Sequence, residues 1–382
     1  MRILYVAPRF HTNQHTITKY LVEQGHEVMF LVARKECTED YTYLTPILCE
    51  ASKMYEKIEK KKYPQPSVAQ ENFRIGHFIP SKKWMTRIIK EFSPDILITR
   101  ERTLLSLVAI RCARQCGVKC RILYTQSPLY RPKRSLKKSL IVNLYDLLAP
   151  VKSFMTPCEV KVVGQEDMGQ LVKNKNWVFI PHVSEIKPFV DGRTYMKDGY
   201  INIIDIGKYR PYKNHYVLVD ALSLLSEDEL SKLRVTILGQ CVKKEEEDYF
   251  DDLQEYVANK GLGETITLRK NTPYKEMVNE YMANDVLVLT SKNEECTVTM
   301  ADSLSYGLLT ISTDHNGSAS YVDKGSGYIF KTCNPESLAG ILKEICNHPE
   351  KVKEMGTHAR QAFLANYTPE AYWNKIMEIY NR

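Results

Sequence analysis

Short apolar runs that each end in a turn and a helical segment are the feature that most constrains this chain's fold. Five of them are predicted as strands, over Ile201–Ile206, Val235–Leu238, Thr265–Leu268, Val286–Thr290 and Leu309–Ser312. Strands of this length that alternate with helices build a parallel sheet with helices on both faces. The sequence therefore predicts a doubly wound α/β domain in the second half of the chain.

Charged side chains follow the ends of two of these strands. Lys208 and Lys213 come after the first strand, and Glu294 and Asp302 come after Val286–Thr290. Ligands bind at the carboxyl ends of the strands in a doubly wound sheet, so these side chains are expected to face one site. Cations there suit a phosphorylated ligand, and carboxylates suit sugar or ribose hydroxyls. The lysine turn also opens a helix, whose free amides and dipole favour an anion.

The length of 382 residues predicts two domains. The first half supports this prediction, because a strand at residues 2–7, a helix at Thr16–Gln24 and a strand at Val28–Val32 begin another parallel sheet. Ten cysteines at irregular spacing fit reduced thiols in a cytoplasmic protein. The net charge of +7 is compatible with anionic substrates or an anionic membrane surface. Nucleic-acid binding is not expected, because no recognised motif accompanies that charge.

The spacing around the charged positions follows a known pattern. Gly-Lys-x4-Lys-Asn runs from Gly207 to Asn214, and Ser-x-x-Glu-x7-acid runs from Ser291 to Asp302. On these motifs the chain resembles the family 4 glycosyltransferases. Their GT-B fold consists of two Rossmann-like doubly wound domains that face each other across a cleft.

The resemblance implies three segments. Residues 1–185 are expected to form an N-terminal acceptor-binding domain, and residues 186–365 a C-terminal domain that binds the nucleotide sugar. A final helix over residues 366–382 is expected to cross back to the N-terminal domain. The active site is expected in the cleft between the domains, which should close when substrates bind.

The resemblance also implies a catalytic group. Gly207, Lys208 and Lys213 are expected to clamp the diphosphate of the donor. Glu294 is expected to accept hydrogen bonds from hydroxyls of the donor sugar. The two lysines and Glu294 are the expected catalytic residues, because fixed cations stabilise the charge that develops on the leaving diphosphate.

Three more donor-binding residues are expected by resemblance. Asp302 stands where the family has glutamate, and it is expected to accept hydrogen bonds from both ribose hydroxyls. Thr297 and Val298 are expected to turn their backbone amides toward the phosphates at the start of a helix. Thr297 replaces a glycine of the family pattern, which narrows the space beside the sugar.

The first half departs from the family pattern in two places. The family usually has a glycine pair in the first turn, whereas residues 9–14 contain no glycine. Side-chain amides of Asn13 and Gln14 are expected to take the polar role of that turn. Many members have a histidine where this chain has Gln126. Together with His11 and His15, these side chains are the candidates for contacts with the acceptor in the cleft.

Residues 131–148, RPKRSLKKSLIVNLYDLL, combine an early cluster of cations with leucines at helical spacing. We favour an ordinary surface helix that packs Leu136, Leu140, Leu144 and Leu147 into the core. A basic amphipathic helix can instead lie on anionic lipid, which would suit an enzyme with a lipid-linked acceptor. Peripheral contact with the inner face of the cell membrane therefore stays open.

These observations predict a retaining hexosyltransferase. It would move a sugar from a nucleoside-diphosphate sugar, expected to be UDP-linked, to a glycan or lipid-linked acceptor in surface polysaccharide or glycolipid assembly. We expect neither a cofactor nor a metal, because no Asp-x-Asp suited to Mg²⁺ follows a strand and the lysines can take the metal's role. Two alternatives remain: a nucleotide-sugar epimerase of the same fold, and a non-catalytic nucleotide- or glycan-binding partner of a glycosyltransferase complex.

Overall fold

The computed structural model describes residues 1–35, 40–132, 136–160, 171–174, 176–322 and 325–382. The chain divides into two compact units. The first contains the described residues of Met1–Pro157, Gln170–Ile180 and Pro369–Arg382, and the second those of Cys158–Gly169 and Pro181–Thr368. A strand expected at 161–163 lies outside the described residues.

The first unit is built on a parallel sheet. The strands of the first unit are β1 (Arg2–Ala7), β2 (Glu27–Val32), β3 (Ile47–Leu48), β4 (Ile96–Arg100), β5 (Cys120–Tyr124), β6 (Tyr130–Pro132), β7 (Ser153–Thr156), β8 (Leu171–Lys173) and β9 (Trp177–Phe179). Within the described residues, seven of them pair in the order β3-β2-β1-β4-β5-β7-β9. Strands β6 and β8 form a separate antiparallel pair.

Helices connect these strands. They are α1 (Thr12–Glu23), α2 (Lys53–Lys62), α3 (Val68–His77), α4 (Lys82–Phe92), α5 (Leu104–Gln115) and α6 (Leu136–Leu148). Helix α1 begins at Thr12 rather than at the predicted Thr16. The side-chain oxygen of Gln14 accepts a hydrogen bond from the His11 backbone amide at 3.2 Å, which caps the helix early. The expected polar turn over 8–14 is therefore wrong for its last three residues.

The second unit is also built on a parallel sheet. Its strands are β10 (Ile201–Ile206), β11 (Leu233–Gly239), β12 (Ile266–Lys270), β13 (Val286–Leu289), β14 (Leu309–Thr313) and β15 (Gly327–Phe330). Its helices are α7 (Tyr216–Leu222), α8 (Glu227–Leu230), α9 (Lys244–Asn259), α10 (Met277–Ala283), α11 (Val298–Ser305), α12 (Pro335–Asn347) and α13 (Glu350–Asn366). The last helix, α14 (Pro369–Asn381), belongs to the first unit.

The described strands of the second sheet lie in the order β12-β11-β10-β13-β14-β15, which is the Rossmann order. The first sheet follows the same order through its first five strands. Parallel sheets are covered by helices on both faces, so their strands are apolar almost throughout. Strand β13, for example, is buried along its whole length. The predicted class of two Rossmann-like doubly wound α/β domains is confirmed.

Helix α6 corrects one of our expectations. Three of the four leucines in the predicted stripe face outward, with Leu140, Leu144 and Leu147 exposed by 70, 54 and 80%. The side chain of Leu136 lies outside the described part of the structure. The favoured interpretation, in which this stripe packs into the core, is wrong. The inward face instead contains Asp146, which accepts a hydrogen bond from Arg102 at 2.8 Å, and Tyr145, which packs against the apolar core. None of the described helices is both long enough and apolar enough to cross a membrane.

Arg360 of α13 joins three parts of the second unit. Its guanidinium donates to the carbonyl oxygens of Ser305 and Lys187 at 2.7 and 2.9 Å. It also donates to the carboxylate of Asp191 at 3.0 Å. The residue is only 7% exposed, so the two carbonyl oxygens depend on it rather than on water, whereas the Asp191 carboxylate is 64% exposed.

Replacing Arg360 should therefore destabilise the second unit. We expect Arg360→Met to lower the free energy of unfolding by about 2–4 kcal/mol, because it leaves buried carbonyls without a donor. The matched control is Arg234→Met, which removes a more exposed pair with Asp198 and should cost less than about 1 kcal/mol. Urea unfolding measures both variants, and equal losses would contradict the role given to Arg360.

Candidate active site

The strand order places the crevice of the second unit. Strand β10 lies between β11 and β13, so the chain reverses its winding at the carboxyl ends of β10 and β13. Ligands of open α/β sheets bind at this switch point. Gly207 follows β10 directly, and Glu294 lies in the turn after β13.

A cavity of about 540 Å³ opens at this point. Residues from the ends of three strands and from α11 line it, among them Gly207, Lys208, Lys213, Gln240, Asn271 and Thr299. The structure thus brings together the three residues expected to hold a diphosphate. Gln240 and Asn271, which the sequence did not single out, complete the wall at the ends of β11 and β12.

Two glycines let the lysine turn close on the sheet. A Cβ atom on Gly207 would lie 3.1 Å from Cδ of Lys213. A Cβ atom on Gly239 would lie 2.1 Å from the carbonyl oxygen of Gly207, which is far inside van der Waals contact. Only glycine allows the backbone to approach this closely. The aliphatic part of the Lys213 side chain therefore packs against the backbone at Gly207, and the side chain lines the cavity.

Lys213 and Glu294 form an ion pair. The distance from Nζ of Lys213 to Oε2 of Glu294 is 2.5 Å, and the side chains are 14 and 19% exposed. An ammonium group has three donors, so the pair leaves two for a ligand. Lys208 is exposed at the same cavity, and among the described residues it has no charged partner. The site therefore offers two cations, one fixed by a carboxylate and one open to solvent.

A buried chain of hydrogen bonds holds Lys213 from the other side. The hydroxyl oxygen of Thr290 lies 2.8 Å from Oδ2 of Asp205 and 2.7 Å from the carbonyl oxygen of Lys213. One hydroxyl has only one proton to give. A protonated Asp205 resolves this, because it donates to Thr290, which then donates to Lys213.

The surroundings of Asp205 favour its protonated form. Burial raises the pKa of Asp205 to about 7, against the opposing charge of Lys213. Tyr209 and Tyr249 are the other titratable groups that interact with it. The neighbouring His215 is kept neutral, since burial and, to a smaller extent, the charge of Lys213 lower its pKa to about 3.

Asp302 lies on α11, one turn after Thr299 of the cavity wall, so both residues share a face of the helix. The hydroxyl of Ser184 donates to Oδ1 of Asp302 at 2.6 Å. Nζ of Lys187 donates to the oxygen of Ser184 at 3.0 Å. Burial raises the pKa of Asp302, while the charge of Lys187 opposes the rise. Ser184 and Lys187 lie at the expected boundary between the domains and carried no motif that could have pointed to them.

The start of α11 only partly matches the expectation for Thr297 and Val298. The hydroxyl of Thr297 caps the helix by accepting from the amide of Thr299 at 3.3 Å. The amide of Thr297 itself donates to Ser318 at 3.2 Å, so it already has a protein acceptor. Val298 is the first residue of the helix, where amides have no acceptor within the helix.

The candidates in the first unit have different partners within the protein. Oδ1 of Asn13 accepts from Arg100 at 2.7 Å, and Gln14 caps its own helix. Nε2 of His15 lies 3.3 Å from the Asp40 carboxylate. Gln126 follows β5 and is half-buried. Their role toward an acceptor stays a prediction.

Arg100 is a residue of this region that sequence reasoning did not single out. It ends β4, and its guanidinium lies over the ring of Tyr124 at 4.8 Å. Its side chain is largely buried, so its charge is fixed at the carboxyl edge of the first sheet. In the described part of the chain, no group of three or more His, Cys, Asp or Glu side chains could hold a metal ion. The expected independence from metals stays a prediction.

Two doubly wound units, with a cationic cavity at the switch point of the second, agree with the arrangement that the resemblance to GT-B glycosyltransferases led us to expect. Comparison with known families agrees, because residues 193–362 match the family Glycosyl transferases group 1. This match covers most of the second unit, and the resemblance to glycosyltransferases of GT-B fold seen in the sequence is confirmed. The same match supports the prediction of a transferase enzyme.

Characterised relatives align with part of the chain. Mannosylfructose-phosphate synthase of Agrobacterium fabrum is 24% identical over 167 residues, which are 42% of this chain and 37% of that protein. The mouse enzyme named GDP-Man:Man(3)GlcNAc(2)-PP-Dol alpha-1,2-mannosyltransferase is 23% identical over 30% of this chain and 24% of its own length. The chain thus matches well under half the length of these relatives.

Solved structures align with nearly the whole chain. A glycosyltransferase from Rickettsia africae has a TM-score of 0.69 at 17% identity, and the alignment covers 99% of this chain and 97% of that one. HepE from Anabaena, solved in complex with UDP, has a TM-score of 0.70 at 11% identity and 99% coverage of both chains. At these identities the likeness establishes the fold.

The hydrogen-bond chain through Asp205 predicts a pH dependence. Between the usual aspartate pKa near 3.9 and about 7, the folded protein keeps a proton that the unfolded chain releases, so this contribution to stability is lost as pH rises. Asp205→Asn keeps a donor to Thr290 at every pH. The free energy of unfolding of this variant, relative to wild type, should rise by about 2–3 kcal/mol from pH 5 to pH 7.

Urea unfolding at both pH values measures that difference. His215 contributes with the opposite sign, because its folded pKa is lowered, but it is present in both proteins and cancels. Asp198→Asn is the matched control, since the pKa of Asp198 is lowered and the carboxylate stays ionised across this range. A difference for Asp205→Asn that does not change with pH would refute a protonated Asp205.

Proposed function

We propose that this protein is a retaining glycosyltransferase that uses a nucleoside-diphosphate sugar, with UDP as its nucleotide. It would pass the sugar to a glycan or lipid-linked acceptor on the cytoplasmic side of the membrane, in surface polysaccharide or glycolipid assembly. The observation that carries the proposal is the ion pair of Lys213 and Glu294, beside the cavity that Gly207 and Lys208 also line.

The lysines would stabilise the leaving group. Breaking the bond between the sugar and the diphosphate leaves negative charge on the phosphate oxygens. Lys213 has two donors beyond the one on Glu294, and it is held at both its carbonyl and its ammonium group. A cation fixed before the reaction needs no reorganisation as the charge develops, which makes this kind of stabilisation effective. Lys208 and the amide of Val298 would add to it.

The two carboxylates would orient the donor. Glu294 uses Oε2 for Lys213 and for a long contact with Ser291 at 3.4 Å, so Oε1 can accept from hydroxyls of the sugar. Asp302 uses Oδ1 for Ser184, and Oδ2 can accept from the ribose. Because Ser184 and Lys187 already order the Asp302 carboxylate, the ribose would meet an acceptor of fixed orientation.

The choice of UDP follows a structural neighbour. HepE, a structural neighbour, was solved with UDP, whereas the mouse relative is named for GDP-mannose. The base would meet residues beyond β11 and β12, where the cavity wall contains Gln240, while the side chain of Asn271 is bonded to the backbone of Cys241 through both its oxygen and its nitrogen. Amide side chains such as that of Gln240 discriminate bases by hydrogen bonding, so a panel of nucleotides decides the question directly.

Calorimetric titration with UDP, GDP, ADP and CMP, each with and without Mg²⁺, tests the proposal. We expect tight binding of UDP that does not require Mg²⁺. Lys213→Ala should abolish donor turnover and weaken UDP binding at least about tenfold, since hydrogen bonds to charged groups are each worth about 1.5–3 kcal/mol. Lys244→Ala, an exposed lysine that pairs with Asp248, is the control and should change neither. Binding without turnover would favour the non-catalytic alternative, and conversion of the donor without an acceptor would favour the epimerase.

The role of Asp302 has its own test. Wild type should bind UDP more tightly than 2′-deoxy-UDP, because the deoxy compound lacks a hydroxyl for Asp302. Asp302→Ala should weaken UDP binding by about 10–100-fold, the loss of one or two hydrogen bonds to a carboxylate, and should bind both compounds equally. If Asp302→Ala still prefers UDP over 2′-deoxy-UDP as strongly as wild type does, Asp302 does not contact the ribose, even if the variant binds UDP more weakly.

A further inference from the structure

Helix α6 of the first unit exposes its apolar stripe to solvent. Leu140, Leu144 and Leu147 lie within one narrow arc of the helix and are strongly exposed; we call these three residues the α6 face. The opposite arc contains Asp146, which is paired with Arg102, and Tyr145, whose hydroxyl donates to the Thr103 carbonyl at 2.9 Å. The polar contacts fix the helix in this orientation, so the leucines cannot turn inward without breaking them.

Cations flank the α6 face. Arg111 and Arg114 of α5 are exposed, and together with Leu147 and Leu148 they line an open cavity of about 440 Å³. Asp146, the acidic residue of α6, forms an ion pair with Arg102 and faces inward. The exposed side chains described around the leucines are apolar, positive or, at Gln115 and Asn143, neutral and polar, and none of them is acidic.

The charge of the chain is concentrated in this region. Residues 104–152, which span α5 and α6, hold ten Lys and Arg residues and one acid, a net charge of +9. The whole chain has a net charge of +7, so the rest of it amounts to −2. A local excess of this size creates a field that attracts an anionic surface.

We propose that the α6 face docks on the surface of a bilayer that contains anionic lipid. The leucines would enter the boundary between headgroups and acyl chains, and the surrounding cations would meet the headgroups. Helix α6 has 13 residues, too few to span a bilayer but enough to lie along its surface. The inference concerns the first unit alone and does not depend on the proposed transferase activity.

Other occupants fit the same surface less well. A second copy of this chain, packed face to face, would bring two +9 segments together, and like charges disfavour that contact. A nucleic acid would satisfy the cations but leave three exposed leucines in water. An anionic bilayer is the partner that accepts both the charge and the apolar stripe.

Sedimentation of the full chain with vesicles tests the proposal. The vesicles are phosphatidylcholine alone, or phosphatidylcholine with phosphatidylglycerol. We expect binding to the anionic vesicles only, weakening as salt is raised. Leu140→Ser/Leu144→Ser/Leu147→Ser should reduce the partition coefficient at least about tenfold, because three buried side chains are lost. Arg111→Gln/Arg114→Gln should reduce it by about tenfold.

The matched control replaces three exposed apolar residues of the second unit, Leu224→Ser/Ile329→Ser/Leu364→Ser, which should bind vesicles like wild type. Thermal unfolding verifies that every variant is folded. Failure of wild type to bind anionic vesicles, equal binding to both kinds of vesicle, or an equal loss in the control would overturn the proposal. A shift from dimer to monomer in the leucine variant, seen by size exclusion without vesicle binding, would assign the face to a second copy instead.

Discussion

The hydroxyl of Thr290 is the contact on which the candidate site depends. It lies between the Asp205 carboxyl on β10 and the carbonyl of Lys213 in the turn after β10, and it belongs to the end of β13. It therefore ties together the two strands that form the switch point of the sheet. One hydroxyl cannot donate to two acceptors, and burial raises the pKa of Asp205 to about 7, so a proton on Asp205 would leave Thr290 free to donate to Lys213.

The hydrogen bond between Thr290 and the Lys213 carbonyl complements the ion pair between Lys213 and Glu294. Lys213 is fixed at its backbone by Thr290 and at its ammonium group by Glu294, while Gly207 and Gly239 let its stem lie against the sheet. A flexible lysine loses much side-chain entropy when it orders around a ligand. Here the Lys213 side chain is already ordered in the folded protein, so binding a ligand costs less entropy. A preorganised site stabilises charge more effectively for this reason. Asp302 shows the same design, because Ser184 and Lys187 order its carboxylate before any ribose is present.

The sequence predicted most of the second unit and less of its surroundings. Strand β10 was placed at its observed bounds, because Ile201–Ile206 is an apolar run with clear turn residues after it. The start of α1 was missed, since its cap uses His11 and Gln14 rather than the usual Ser, Thr, Asp or Asn. The orientation of α6 was missed for a different reason. Helical spacing shows that four leucines share a face, but not whether that face points inward, and the deciding partner, Arg102, lies outside the segment.

The sequence by itself determined the features that depend on residues close together in the chain. These are the alternation of strands and helices, the parallel sheets that follow from it, and the motifs that place cations and carboxylates after particular strands. Tertiary structure decided which of these groups meet. Asp205 and Thr290 are 85 positions apart, Lys213 and Glu294 are 81 apart, and Ser184 and Asp302 are 118 apart. The protonation of Asp205, the order of Lys213 and the outward face of α6 arise only when burial and distant partners act on residues whose local pattern permits several outcomes.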